Sequence, residues 1–231
     1  MTDQVTILAA GMGTRLGRPW PKPLTPLRDG RSIMAQQMDN IRGVLGEQAR
    51  VTVVVGFKLE LVMEAFPDAV FVYNESYDQT NTCKSLLKAL RASHDGGVLW
   101  MNGDVVFDPR VLERVVPLMA ADTSFVCVDT AAVGDEEVKY TVGASGHVAE
   151  LSKTVTDALG EAVGINFVSS ADKATLIRHL DACADSDYFE RGIETANEHD
   201  GMAVTPVDIS DLFAVEVDFE ADLERANQTL G

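Results

Sequence analysis

Short apolar runs of strand length return along the first part of the chain: VTILAA at 5–10, VTVVVG at 51–56, AVFVY at 69–73, GVLWMN at 97–102 and SFVCVD at 124–129. Between them lie longer stretches with helical spacing, such as SIMAQQMDNIRGVL at 32–45 and TCKSLLKALRAS at 82–93. Strand and helix in alternation imply a parallel sheet covered on both faces, and unbroken apolarity fits strands buried on both sides. After residue 130 the rhythm changes. EVKYTV and HVAELS flank GASG and read as a hairpin. A strand AVGINFVSS follows, then helical patterns around ADKATLIRHLDAC and SDYFERGIETANEH, the strands MAVTPVDI and FAVEVD, and a final helix from Glu220. No linker divides these parts. The reading is one domain over 1–231, with 131–231 contributing an insertion or flap on the same sheet.

Charge narrows the partners. Net charge is −17 with a pI near 4.5, which excludes the basic, phosphate-tracking surface of a nucleic-acid binder. No stretch approaches the ~20 apolar residues of a membrane span, and MTDQVTILAA lacks the basic region of a signal peptide, so no membrane partner and a cytoplasmic location are expected. Cys83, Cys127 and Cys183 are odd in number and widely spaced, unlike a disulfide framework or a zinc site. The sequence leaves the oligomeric state, monomer or homo-oligomer, open.

Against this acidity, basic residues clustered in one loop stand out. ILAAGMGTRLGRPWPKPLTPL leaves the first strand with Gly11, Gly13 and Gly17, then passes through Pro19, Pro21, Pro23 and Pro26, so it is not a helix. Ligands of open α/β sheets bind at the carboxyl ends of the strands, where this loop begins. Gly11 and Gly13 let the backbone approach an anion. Arg15 can fork onto phosphate oxygens and Lys22 adds a point charge. Two commoner phosphate loops fail: GxGxxG would need glycine where Leu16 stands, and no Walker GK[ST] run is present. Residues 11–30 are expected to be loosely held until a triphosphate arrives, because a cationic cradle has no partner of its own.

Leu8-Ala9-Ala10-Gly11, Gly13 with Arg15, and Pro21-Lys22-Pro23-Leu24 resemble the signature loop of the nucleotidyltransferase superfamily that includes sugar-1-phosphate nucleotidylyltransferases. YDQTNTCKSLLKAL, NGDVVF, EEVKYTV, HVAELSK and VEVDFEADLERA follow in the order found in small phosphocholine cytidylyltransferase-like enzymes, so the likeness spans nearly the whole chain. It implies a Rossmann-like α/β fold of the GT-A-like kind: a mixed, mainly parallel sheet with helices on both faces and a small hairpin and helical acceptor-side insertion. Residues 1–130 would bind nucleotide and 131–231 would serve the acceptor. The implied activity is Mg²⁺-dependent transfer of a nucleotidyl group, CMP from CTP, to a small phosphorylated alcohol or phosphonate such as phosphocholine, with release of pyrophosphate. Transfer to a sugar-1-phosphate and a non-catalytic nucleotide sensor are the alternatives.

Asp104 and Asp218 come from separate strand ends, and two hard oxygen ligands suit Mg²⁺ together with substrate phosphates. Spacing alone leaves Asp218 equally readable as a helix cap; the resemblance makes both aspartates metal ligands. Lys22, Arg15 and Asp104 are then the catalytic set. Leu8, Ala10, Gly11, Gly13, Thr14, Arg15, Asn81, Ser85 and Asp104 fall on the nucleotide side, although Asn81 reads equally as a helix cap. Lys153, Lys139 and Tyr188 fall on the acceptor side. A quaternary ammonium would want an aromatic cage, for which Tyr73, Tyr77, Trp100, Tyr140, Tyr188 and Phe189 are candidates. A cationic head would also suit Asp185, Asp187 and Glu190, a run that reads otherwise as a solvated helix start.

Overall fold

A computed structural model describes residues 4–131, 133–134 and 137–229. The apolar runs become β1 (Gln4–Ala9), β2 (Arg50–Val55), β3 (Val70–Tyr73), β4 (Val98–Asn102) and β6 (Phe125–Asp129), with a short β5 (Val105–Phe107) directly after β4. The hairpin is β7 (Lys139–Val142) and β8 (Val148–Ser152), followed by the long β9 (Gly160–Val168), β10 (Thr205–Asp208) and β11 (Ala214–Glu216). The main sheet runs β10-β6-β9-β4-β1-β2-β3, with β7 and β8 attached through β9. Strands β4, β1, β2 and β3 are parallel, as are β10 and β6, and β9 lies antiparallel between β4 and β6. The sheet is therefore mixed and mainly parallel, as expected. β11 and β5 form a separate antiparallel pair.

Side chains of β1 alternate between two cores because successive residues of a strand face opposite ways. Leu8 joins the core built with α3 (Thr82–Ala92), α5 (Lys173–Ala182) and α6 (Phe189–Asp200). Val5, Ile7 and Ala9 join the opposite core under α1 (Ile33–Leu45) and α4 (Arg110–Ala120). Two further helices complete the chain, α2 (Leu59–Ala65) and α7 (Glu220–Thr229). α1 starts at Ser32, whose Oγ accepts from the Ala35 N–H at 3.2 Å, a cap that contributes about 1 kcal/mol. Among the described residues no helix is long and apolar enough to cross a membrane.

One buried feature positions the later chemistry. α1 presents Gln36, Gln37 and Asn40, all buried, to the β4–β5 segment. Gln37 Nε2 donates to the carbonyls of Asn102 and Val105 at 2.8 Å each, on either side of Gly103 and Asp104. Gln36 and Asn40 both donate to the Phe107 carbonyl, at 2.7 and 2.8 Å. These amides satisfy strand-end carbonyls that a sharp turn would leave unpaired, and so hold the turn. Its Gly103 has no room for a side chain, since a Cβ would lie 2.8 Å from the Leu8 carbonyl oxygen.

Candidate active site

The loop after β1 folds back over the strand ends. Gly13 sits at φ +60°, a conformation that favours glycine, and a Cβ there would meet Lys22 Cβ at 3.0 Å. Lys22 opens a single 3₁₀ turn, Lys22–Leu24, between Pro21 and Thr25. The loop that was expected to be loosely held is anchored on three sides. Lys58 donates to the Pro19 carbonyl, the Ile33 N–H to the Thr25 carbonyl at 3.1 Å, and the Arg28 N–H to Asn227 Oδ1 at 2.6 Å. Leu16 and Leu27 also bury against Val217 and Leu223. The prolines carry Lys22 back beneath the loop, as a restrained chain would.

Lys22 is 8% exposed and its Nζ joins both aspartates, Asp104 Oδ2 at 2.7 Å and Asp218 Oδ1 in a shorter contact. Burial opposes its charge, but the two carboxylates outweigh burial and hold its pKa above the ordinary lysine value. Asp218 also receives Arg15 at 2.7 Å. Burial works against the Asp218 charge as well, yet Lys22 and Arg15 keep its pKa below the usual carboxylate value. The cations of the cradle thus have acidic partners within the molecule, which corrects the expectation that they wait for a triphosphate.

Asp218 does not cap α7. That work falls to Asp222, whose Oδ2 accepts from the backbone N–H groups of Phe219 and Asp218 at 2.8 and 3.1 Å. An acid reaching back to the start of its own helix satisfies exposed donors and leaves the Asp218 carboxylate directed at Lys22 and Arg15. Glu216 is the third member of the cluster, and the sequence reading missed it. Oxygens of Asp104, Glu216 and Asp218 all lie within 4.8 Å of one another. The signal was present in VEVD, where residues two apart share a strand face. Burial, then the nearby Asp104 charge, pushes the Glu216 pKa well up. Asp104 Oδ1 is buried without a hydrogen-bond partner among the described residues. An acid-only donor set with an orphaned oxygen fits a hard divalent cation such as Mg²⁺.

Leu8, Gly11, Gly13, Lys22 and Asp104 line the cleft together with Ala9, Thr82, Asn102 and Glu216, around a cavity of about 140 Å³. Five residues expected on the nucleotide side do not line it, among them Arg15, whose guanidinium turns to Asp218. Ala10 packs in the core and its carbonyl accepts from the Phe57 N–H at 3.1 Å. The Thr14 carbonyl closes a turn on Gly17. Asn81 caps α3, accepting from the Thr82 N–H at 2.8 Å, and Ser85 is buried against Asn74 Nδ2 at 3.0 Å. At the start of α3 it is Thr82 that faces the cleft.

A narrower branch of about 60 Å³ continues past Thr82, Asn102, Glu216 and Asp218 to Lys153, Tyr188 and Glu190. Lys153 Nζ lies 5.2 Å from the Tyr188 ring centre. Lys139 pairs along β8 and β9 and is not among the lining residues. Among the described residues no aromatic cage forms. Trp100, Tyr140 and Phe189 are core residues, Tyr73 is exposed on the edge strand β3, and Tyr77 packs against the core. Of the acidic run, Asp187 closes a turn on the Ala184 N–H at 2.9 Å, whereas Glu190 is 6% exposed and lines the branch. Burial pushes the Glu190 carboxyl up to about 7. A solvated helix start therefore does not describe Glu190.

Residues 5–174 match the MobA-like NTP transferase domain. The chain belongs to this family. CMP-5'-(3-aminopropyl)phosphonate synthase of Streptomyces rubellomurinus is 33% identical over 248 residues, covering 97% of this chain and 38% of that protein. The bifunctional protein GlmU of Ruegeria pomeroyi is 26% identical over 240 residues, covering 98% of this chain and 52% of that protein. This NTP transferase-family chain thus spans about half or less of the length of these curated relatives. Two solved structures share its fold. The inositol-1-phosphate CTP transferase from T. maritima superposes with a TM-score of 0.79 at 15% identity, over 98% of this chain and 96% of that one. The CTP:phosphocholine cytidylyltransferase from Streptococcus pneumoniae gives 0.76 at 16% identity, over 99% of each chain.

Proposed function

We propose that the chain transfers a nucleotidyl group, CMP from CTP, to a phosphate or phosphonate oxygen of a small acceptor and releases pyrophosphate. The observation that carries this reading is Lys22, held under a glycine loop between two aspartates at the ends of separate strands. Support for cytidine comes from the Streptomyces relative, whose name describes a CMP-phosphonate synthase. An acceptor oxygen attacks the α-phosphorus as the bond to the pyrophosphate oxygen breaks. The acceptor is already anionic near neutral pH, so no side-chain nucleophile is needed, and catalysis rests on positioning and charge stabilisation.

Lys22 stays protonated and stabilises negative charge developing on the α-phosphate. The Gly11–Gly13 backbone and Arg15 hold the departing pyrophosphate. Asp104, Asp218 and Glu216 would hold Mg²⁺, which supplies Lewis-acid charge stabilisation when bound. Lys153 orients the acceptor anion from the far side. In this reading residues 1–130 serve the nucleotide and 131–231 the acceptor, within one domain.

Pyrophosphate release tests it, with Mg²⁺ and CTP, UTP, ATP, GTP or dTTP against phosphocholine, aminoethylphosphonate, inositol phosphate, glycerol phosphate and glucose-1-phosphate. Turnover with CTP that disappears in Lys22→Ala and Asp104→Ala is the expected result. Turnover only with another nucleotide, or in both variants, would overturn the assignment.

A further inference from the structure

Glu190 is the buried ionisable group on the acceptor branch that the transfer step does not use. It opens α6 at the second helical position, is 6% exposed, and lines the branch that continues from Asp218 and Glu216. Its Oε2 is buried and has no hydrogen-bond partner among the described residues. Lys153 is the nearby cation and its charge acts on the Glu190 carboxyl, as does the Glu190 backbone N–H, but Lys153 Nζ stands over the Tyr188 ring and neither group reaches Oε2. A buried carboxylate oxygen without a donor carries a desolvation cost that a cationic donor removes.

We propose that Glu190 receives the ammonium group of the acceptor and selects acceptors whose cation carries N–H bonds, namely short aminoalkyl phosphonates or phosphates. This rests on the nucleotidyltransfer reading above. Such an acceptor is a zwitterion, and the branch matches its two ends. The anion belongs beside Lys153 and the Lys22 cluster, and the cation beside Glu190, with Glu137 also lining the branch. The alternative cation, a quaternary ammonium, has no hydrogen to donate to Oε2. It binds instead through aromatic faces, and among the described residues the aromatic rings on the branch are Tyr188, whose face Lys153 takes, and Phe189, which is 1% exposed and packs edge-on against Trp100. A neutral alkyl chain would leave Glu190 unpaired.

A matched series isolates the effect: 2-aminoethylphosphonate, its N-trimethyl derivative and ethylphosphonate share one anion and one chain length. With CTP and Mg²⁺ the wild-type kcat/KM should favour the primary amine by about tenfold or more over both others, the worth of one charge-assisted hydrogen bond. In Glu190→Gln that preference should collapse while the KM for CTP moves less than the KM for the amine. Equal use of the three by wild type, or a preference retained in a folded Glu190→Gln, overturns the inference and leaves nucleotidyltransfer standing. Absence of pyrophosphate with every nucleotide strikes the transfer reading instead. Calorimetric binding of the same three compounds then decides: amine-selective binding lost in Glu190→Gln upholds the role of Glu190, and any other result overturns it.

Discussion

On the glycine-loop side of the cleft Lys22 meets Asp104 and Asp218, Arg15 meets Asp218 and Arg18 meets Glu220, whereas on the Tyr188 side Glu190 holds a buried oxygen with no hydrogen-bond partner among the described residues. Burial also pushes Glu137 up, as it does Glu190. The first region can exchange partners when ligands arrive. In the proposed reaction phosphate oxygens would replace carboxylates around the lysine and a metal cation would replace the lysine among the carboxylates, so little charge would be left bare. In the second, Glu190 Oε2 has no partner to exchange among the described residues. It keeps an electrostatic cost in the free protein that a cationic ligand would relieve, which makes it suited to choosing a ligand rather than to driving the reaction.

The largest expected effect strikes the first region. Lys22→Ala should lower kcat about 10²–10³-fold, the usual cost of removing one preorganised donor from a developing anion, as read by pyrophosphate release. A loss under tenfold would move the catalytic weight to other groups. Chelation of divalent metal should abolish turnover and added Mg²⁺ restore it in wild type, while Asp104→Asn should not recover.

Stability against pH sharpens the contrast from the other side. Glu190 is pushed up by burial from 4.5 to about 7, so between these values the native chain holds a proton that the unfolded chain has released. Stability therefore falls as pH rises through that window, by roughly 3 kcal/mol at most, each tenfold change in proton affinity being worth about 1.4 kcal/mol. Glu190→Gln has no such proton to lose. Urea unfolding at about pH 5 and about pH 8 should show a flatter profile for the variant than for wild type. Parallel profiles would mean that Glu190 is not the group buried at cost.

Smaller effects separate scaffold from chemistry. Asp222→Ala removes the acceptor that reaches back to the start of α7 and should cost about 1 kcal/mol, a fall of about 2–4 °C in Tm, with turnover reduced less than in Asp218→Asn. Arg18→Ala breaks a pair whose Glu220 side chain is 61% exposed, and calorimetry should show a change within about 0.5 kcal/mol. A large effect there would show that the loop is held by that pair rather than by Lys22 and its buried leucines.

Local pattern carried much of this molecule. The apolar runs read at 5–10, 51–56, 69–73, 97–102 and 124–129 are β1, β2, β3, β4 and β6, and GASG closes the β7–β8 hairpin. LAAG, GxR and PKPL put Leu8, Gly11, Gly13 and Lys22 around one cavity, because a short loop leaves its motif residues few places to go. Ala10 and Ser85 were read as facing nucleotide yet are buried. Motif position identifies a segment but not the rotation of each side chain about it.

Partnership between distant segments was beyond that reach. β9 inserts antiparallel between β4 and β6, β5 pairs with β11 from the far end of the chain, and Gln37 steadies the Asp104 turn from another helix. The sequence alone determined the α/β order, the family loop and the identity of the charged groups, since these depend on residues near one another. Tertiary structure decided which of those charges are paired, adding Glu216 to the aspartates and burying Glu190 with an open oxygen. Burial and pairing depend on what packs across space, and no local period records that.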